Sequence, residues 1–453
     1  MNGKRGFTRP ALLLCYRYHN SAHALMPLLW LCYFIKIQCT ASAKRYKHRQ
    51  SIFIRDGQKV ITGQVLKRGA RMTQQRMITT NAELAKLVTD LSPSDYIAVD
   101  TEFLREKTYH AHLCLIQLAT DDVVAAVDPL AKDIDLTPLL ALLLEPQRLK
   151  VFHAGKQDLE IFFQLTGNVI EPFFDTQIAA MALGLGHQIG FANLVQHLVG
   201  KNLSKGQQMT NWERRPLTDA QIGYALDDVI YLRPVFKQIR QQLEQKGRND
   251  WLQEEEQRLK DSIIQTPSED KLWRSIRIRD KSPRTLTALK ELAVWRDTLA
   301  REVNKPRSML LRDEAMATLA HARPMTLDEI TNLRGIPHEI LHKYGSEILQ
   351  IFDKVNALPK EALIKLPNRA PADEVDSAVS ALAGLYLRHV ASEANVTPNL
   401  IASTDELEAF LQGNPSPLSE GWRYALVGSA LKRLMDGKIA LSLKNGKLVF
   451  IDN

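Results

Sequence analysis

Cysteine is scarce. Of four in 453 residues, Cys15, Cys32 and Cys39 lie near the start and only Cys114 lies in the body that follows. That body cannot form an internal disulfide, which fits a reducing compartment, the cytoplasm. Long apolar runs are also missing. The stretch ALMPLLWLCYFI, Ala24 to Ile35, has twelve residues, too short to span a bilayer comfortably though long enough for the apolar part of a secretion signal. Lys36 and the basic run KRYKHR beyond it weigh against that use, and no membrane partner is expected. No Cys and His cluster has the spacing of a zinc site, which excludes the commonest structural metal. Neither sign of charge dominates: 59 Lys and Arg against 51 Asp and Glu leave +8. This balance favours polyanionic partners such as nucleic acid, and an incidental surface imbalance gives the same figure.

What is present is an ordinary globular composition, 45% hydrophobic, enough for roughly two to four domains with their own cores. Residues 1–76 read as an extension with no folding role, because periodic structure begins at Met77; Met72 or Met77 is a natural start for the globular protein. Residues 77–247 alternate strands and helices. NAELAKLVTDL is a helix with Leu84, Leu87, Val88 and Leu91 at helical spacing behind a cap at Thr80 or Asn81. YIAVDTEF, LCLIQLAT and VVAAVDP follow too closely for crossovers and predict an antiparallel meander. A helix around Leu136 to Leu144 leads to a fourth strand, KVFHA, and the remainder is mostly helical, with an irregular segment from Gly184 to Arg215.

Residues 248–285 read as a charged helix and basic connector, in which Arg277 and Arg279 are candidate phosphate contacts and a solvated linker is the plain alternative. Residues 286–358 and 376–453 read as two small helical domains joined by a proline-rich linker, 359–375. Arg296 and Arg388, Pro306 and Pro398, and Leu319 and Leu411 are each 92 positions apart, as are Asp313-Glu314 and Asp405-Glu406. That offset argues for two copies of one fold. Alternating apolar residues around Asn445-Gly446 predict a terminal hairpin.

The chemistry concentrates in the α/β domain. Asp100 and Glu102 are two apart in an apolar strand and therefore share a face. Two acids there repel and lose hydration, and a cation between them removes both penalties. Asp158 lies near a helix start, where the dipole favours a carboxylate, and Tyr224 and Asp228 are four apart on one helix face. Taken singly, Asp158 and Asp228 are also ordinary solvated or capping acids. Taken together, the four acids could hold two hard cations, magnesium or manganese, about 3.5 to 4 Å apart, the spacing used in phosphoryl chemistry. Tyr224 would then orient or deprotonate the attacking water, and deprotonation by a tyrosine titrating near ~10 would make the rate climb toward alkaline pH.

The segments VDTEF, TYHAHLCLIQLAT, FHAGKQDLEIF, FDTQIAA and NWERRPLTDAQIGYALDDVIYL resemble the ribonuclease D family, in the tyrosine-containing subgroup of the DEDD exonucleases. The resemblance covers about Met77 to Gly247 and implies an RNase H-like α/β exonuclease domain, a mixed sheet flanked by helices. It implies Asp100, Glu102, Asp158 and Asp228 as metal ligands and catalytic residues, with Tyr224 positioning the water. The two helical segments resemble paired helicase-and-RNase-D C-terminal (HRDC) domains, small all-α bundles implied to bind nucleic acid; the second lacks the LRGIPHEILHKYG stretch that begins at Leu333. One departure stands out: where several relatives carry Asn four residues before the second-motif acid, this chain has Ala154, beside His153.

The resulting expectation is a monomeric 3′-to-5′ exoribonuclease that releases 5′-mononucleotides, uses two divalent ions and no small-molecule cofactor, and trims RNA, especially tRNA precursors with 3′ extensions. Phe103, Leu104 and His153 are candidate contacts to terminal nucleotides, although such residues are more often core. A DNA exonuclease and a non-catalytic nucleic-acid-binding adaptor are the alternatives, and the complete five-residue set argues against the second.

Overall fold

The computed structural model describes residues 75–204, 206–265, 268–365 and 375–452. The extension up to residue 74, with its apolar run, and the middle of the proline-rich linker lie outside the described residues. Strand β1 (Gln75–Ile78) begins before the expected start at Met77 and pairs in parallel with β4 (Val124–Val127). It escapes a pattern search because so short a strand has no period to detect.

A six-stranded sheet runs in the order β1-β4-β3-β2-β5-β6. Strands β2 (Tyr96–Leu104), β3 (His112–Ala119) and β4 form the antiparallel meander, and β5 (Leu149–Phe152) and β6 (Phe173–Asp175) extend it in parallel from β2. Side-chain alternation divides the core in two. Ile97, Val99 and Phe103 of β2 face α1 (Asn81–Leu91), α2 (Thr137–Leu144) and α3 (Lys156–Thr166), packing with Leu84, Leu139 and Leu159. Ala98 and Leu104 face the other way, with α4 (Thr176–Ala182), α5 (Phe191–Val199) and α6 (Asp219–Lys246). The acids of β2 belong to this second face. Helix α6 is 28 residues long, opened by a capping box between Thr218 and Gln221 and closed by Gly247 in the left-handed region, φ 63°. It packs across β2, β3 and β4, which is what brings its acids to the strand.

The charged segment after residue 247 is built into the fold. Helix α7 (Asn249–Ile264) packs on α3, α4 and β6, whereas α8 (Glu269–Arg274) packs on α9 (Pro283–Glu302). Trp273 and Ile276 are buried in the core of the first helical domain, formed by α9, α10 (Arg307–Leu310), α11 (Asp313–Ala322), α12 (Leu327–Thr331) and α13 (His338–Ala357). The second helical segment repeats the opening order of the first: a long helix, α14 (Ser377–Ala394), a one-turn helix, α15 (Pro398–Ile401), and a capped helix, α16 (Thr404–Leu411). Helix α17 (Ser429–Met435) and the hairpin β7 (Ile439–Lys444) and β8 (Lys447–Asp452) complete it.

This second bundle shares its core with the α4–α6 face. Thr397 N donates to Met181 O, Trp251 stacks on Trp422, and Arg248 donates to Ala182 O and Asn395 O. Gly184 is required at this contact: its φ is +74°, and a Cβ there would sit 2.5 Å from Asn395 O. Among the described residues, no helix is long and apolar enough to cross a membrane.

Candidate active site

Strand β2 supplies Asp100 and Glu102 to one face, and a register shift follows immediately between Glu102 and Phe103. Helix α6 crosses that face and adds Tyr224 and, one turn later, Asp228. Asp100, Glu102 and Asp228 each offer a carboxylate oxygen, and these atoms all lie within 4.8 Å of one another. Three acids at that distance repel, and either a retained proton or a bound cation relieves them.

Asp158 is held differently. Alternation turns the Thr101 side chain to the opposite face of β2, where its hydroxyl donates to Asp158 Oδ1 at 2.5 Å. The structure therefore gathers three of the expected ligands in one group and places the fourth beside it, tethered to the residue between the two strand acids. Helix α3 is aimed by the loop before it. Asp175 accepts from Ala154 N at 3.1 Å and Gly155 N at 2.8 Å while also capping α4 through Gln177 N. Ala154 has φ 56°, a left-handed conformation that Asn tolerates better than Ala. Gly155 is needed because a Cβ would lie 2.4 Å from Phe152 Cβ.

Electrostatics mark the same residues. Burial, then the charges of Asp228, Asp158 and Glu102, raise the Asp100 pKa well above the usual carboxylate range. Burial, then Asp228 and Asp158, push Glu102 up to about 8. Asp228 rises to about 7 through burial and the neighbouring Asp227, and Asp158 to about 6 through burial, with the Thr101 hydrogen bond working against the rise. Tyr224 is also raised, by burial and then by Asp228, Glu102 and Asp100. That direction favours the protonated phenol, which can donate a hydrogen bond.

A cavity of about 330 Å³ opens over the acids, lined also by His153, Gln177, Phe191, Gln208 and Leu232. His153 is thus at the site, but its ring nitrogens are both engaged, with Thr176 Oγ1 and Ile189 O at 3.0 Å each, and burial lowers its pKa. It is a neutral wall beside Phe191, 5.2 Å away between ring centroids. Phe103 does not line this cavity and packs into the α1–α3 core instead, the consequence of its odd-numbered place on β2. Leu104 lines a separate cavity of about 480 Å³. Arg277 and Arg279 are exposed between α8 and α9 and line neither. Gln177 lay within the FDTQIAA segment but carried no pattern of its own, and Phe191 and Gln208 sit in or beside irregular chain where periodicity is silent.

The donor set is all carboxylate oxygen, which suits hard divalent cations such as magnesium or manganese. Residues 75–244 match the 3′-5′ exonuclease family and residues 285–352 the HRDC domain. The chain is 40% identical over 377 residues to ribonuclease D of Sphingobium indicum, an alignment covering 82% of this chain and 97% of that protein. Ribonuclease D of Zymomonas mobilis gives the same identity and the same coverage. The crystal structure of Escherichia coli RNase D, described as an exoribonuclease involved in structured RNA processing, matches with TM-score 0.71 and 31% identity. That match covers 81% of this chain and 99% of the other.

Proposed function

Because this chain belongs to the ribonuclease D family, a family of 3′-to-5′ exoribonucleases, we propose that it shortens RNA one nucleotide at a time by two-metal hydrolysis and acts in the 3′ maturation of tRNA precursors. The observation that carries the reading is the convergence of Asp100, Glu102 and Asp228 within 4.8 Å under the phenol of Tyr224. When bound, a pair of divalent cations lowers the pKa of the attacking water and stabilises the leaving oxygen.

The residues do the rest. Asp100, Glu102 and Asp228 bind the cations, and Asp158, fixed by Thr101, completes the carboxylate set. Tyr224 donates a hydrogen bond that orients the nucleophilic water. His153 and Phe191 present flat faces to the terminal base, and stacking of this kind is sequence-tolerant, as an exonuclease requires. The HRDC domain adds contacts to structured RNA beyond the unpaired end, in keeping with the structured substrates named for the Escherichia coli relative.

Release of mononucleotides from a tRNA carrying a 3′ extension, with and without magnesium and beside a matched DNA, tests the proposal. Magnesium-dependent 5′-monophosphate release from RNA, abolished by Asp100→Asn, is the expected result. Equal or better release from DNA would make the chain a DNA exonuclease, and binding without release an adaptor.

A further inference from the structure

We propose that the seam between the β2–β3 loop and the first helical domain is a phosphate-binding station for the RNA strand upstream of the cleaved bond. The inference rests on the exoribonuclease reading for its purpose, and its test reads binding separately from cleavage.

The seam is built around Tyr109. Its phenol donates to Asp297 Oδ1 at 3.0 Å and accepts from Arg301 Nε at 3.0 Å and Arg307 at 3.2 Å, and both guanidinium groups lie 5.5 Å from its ring centroid. His110 N donates to Asn304 Oδ1 at 3.0 Å. Asp297 is buried, and its charge is matched by Arg301 and Arg307, so those two arginines are committed to the joint. Tyr109 thereby anchors the loop that carries Lys107 two residues earlier.

Lys107 there meets Lys305, Ser308 and Arg312 around a cavity of about 780 Å³ that no carboxylate lines. All three cations are exposed, and among the described residues none of them is in an ion pair or a side-chain hydrogen bond. Single unpaired lysines are common on any surface. Here three cations from two domains surround one acid-free hollow beside a joint that fixes the two backbones. They supply the point charges and the concavity that phosphates need.

The hollow also shares a wall with the cavity that Leu104 lines. Lys107 lines the adjoining cavity as well, together with Leu104 and Met209. Met209 is 92% exposed, and its neighbour Gln208 lines the acid cavity. Glu106 and Glu213 in the middle cavity disfavour phosphates there and leave the apolar Met209 to meet a base. On this proposal the strand passes from the acid cavity, over Met209, to the basic hollow.

The test compares full-length protein with the Lys107→Ala/Lys305→Ala/Arg312→Ala variant and with Lys432→Ala/Lys444→Ala/Lys447→Ala, which removes the same charge from the second helical bundle. Binding of a 5′-labelled single-stranded RNA is followed by fluorescence anisotropy over a salt series in EDTA. Turnover of a dinucleotide, too short to reach the seam, is measured with magnesium. The seam variant should lower the slope of log affinity against log salt by about two, as loss of three phosphate contacts requires for a single strand. It should weaken binding at least tenfold, and Lys107→Arg/Lys305→Arg should restore it. Dinucleotide turnover should be unchanged. An unchanged slope, an equal loss in the control variant, or a parallel loss of dinucleotide turnover would overturn the inference. A wild-type protein that binds with the full slope but releases no mononucleotide would instead refute the catalytic reading and leave the seam standing.

Discussion

The Thr101 hydroxyl donates to Asp158 across 2.5 Å and so ties the strand carrying Asp100 and Glu102 to the first turn of α3. One hydrogen bond thereby sets where a fourth carboxylate stands relative to the other three. Thr101→Val keeps the shape of the side chain and removes the donor. Partners of this kind, once lost, cost about 10 to 100-fold in metal affinity or activity. Thr101→Val is expected to lower mononucleotide release by that factor and to raise the half-saturating magnesium concentration, whereas Thr101→Ser retains both. A Val variant with wild-type magnesium dependence would remove the positioning role.

Protons and cations compete for the acid cluster, and the sign of the effect on stability is fixed. Glu102, Asp228 and Asp158 have folded pKa values of about 8, 7 and 6, above the roughly 4 of an unfolded carboxylate. A group raised in this way favours the fold fully below its unfolded pKa and loses that contribution as pH climbs through its folded pKa. In EDTA, Tm should therefore fall between about pH 4 and pH 8. Magnesium binds the ionised form, so it should raise Tm more at pH 8 than at pH 5. Asp100→Asn should flatten both dependences; a magnesium-induced rise in Tm that does not vary with pH would contradict the cluster's assignment as ligands.

Tyr224 enters this scheme as a donor because its phenol is held above its ordinary pKa by burial and by Asp228, Glu102 and Asp100. Tyr224→Phe should reduce kcat by about one to two orders of magnitude through loss of water orientation. The shape of the pH–rate profile should survive the substitution, because the ionisations that control it are carboxylate ones. Loss of an alkaline limb in the Phe variant would make Tyr224 a base instead.

The fold and the site were legible to different depths. Asp100, Glu102, Tyr224 and Asp228 were readable because strand and helix periods alone decide which side chains share a face. The three-strand meander was readable for the same reason. Thr101 was hidden because its significance depends on α3 lying across the other face of β2, a tertiary fact. Phe103 reads as a base contact only until the alternation is followed past the register shift, which sends it into the core. Gln208 and the joint around Tyr109 lie in chain without a period, where partners distant in sequence, such as Asp297, decide the conformation. The packing of α7 was masked by its charge, since its buried side chains are few.

Ala154 offers a gain rather than a loss. It holds φ 56°, and a left-handed conformation costs an alanine roughly 1 kcal/mol. Ala154→Asn should recover about 0.5 to 1 kcal/mol, read as a rise in the thermal midpoint, with the donor from its backbone N to Asp175 preserved. A lowered midpoint would mean that the Asn side chain clashes in the acid cavity, which Ala154 lines.

The second helical bundle is fastened to α7 by a buried pair, Arg423 with Glu255. The arginine is 3% exposed at its side chain and also donates to Leu400 O at 2.7 Å and Ile401 O at 2.9 Å. Truncating it leaves two carbonyls without donors and Glu255 without its cation. Removing one partner of such a pair costs about 3 to 5 kcal/mol, because the remaining charge is buried alone, whereas replacing both with apolar side chains is often close to neutral. Arg423→Met is therefore expected to lower the thermal midpoint by about 10 °C, and Arg423→Met/Glu255→Leu to recover much of that loss. The carbonyls set the limit of recovery, since no apolar side chain supplies their hydrogen bonds. A double variant no more stable than Arg423→Met would place the whole cost on those carbonyls and none on the ion pair.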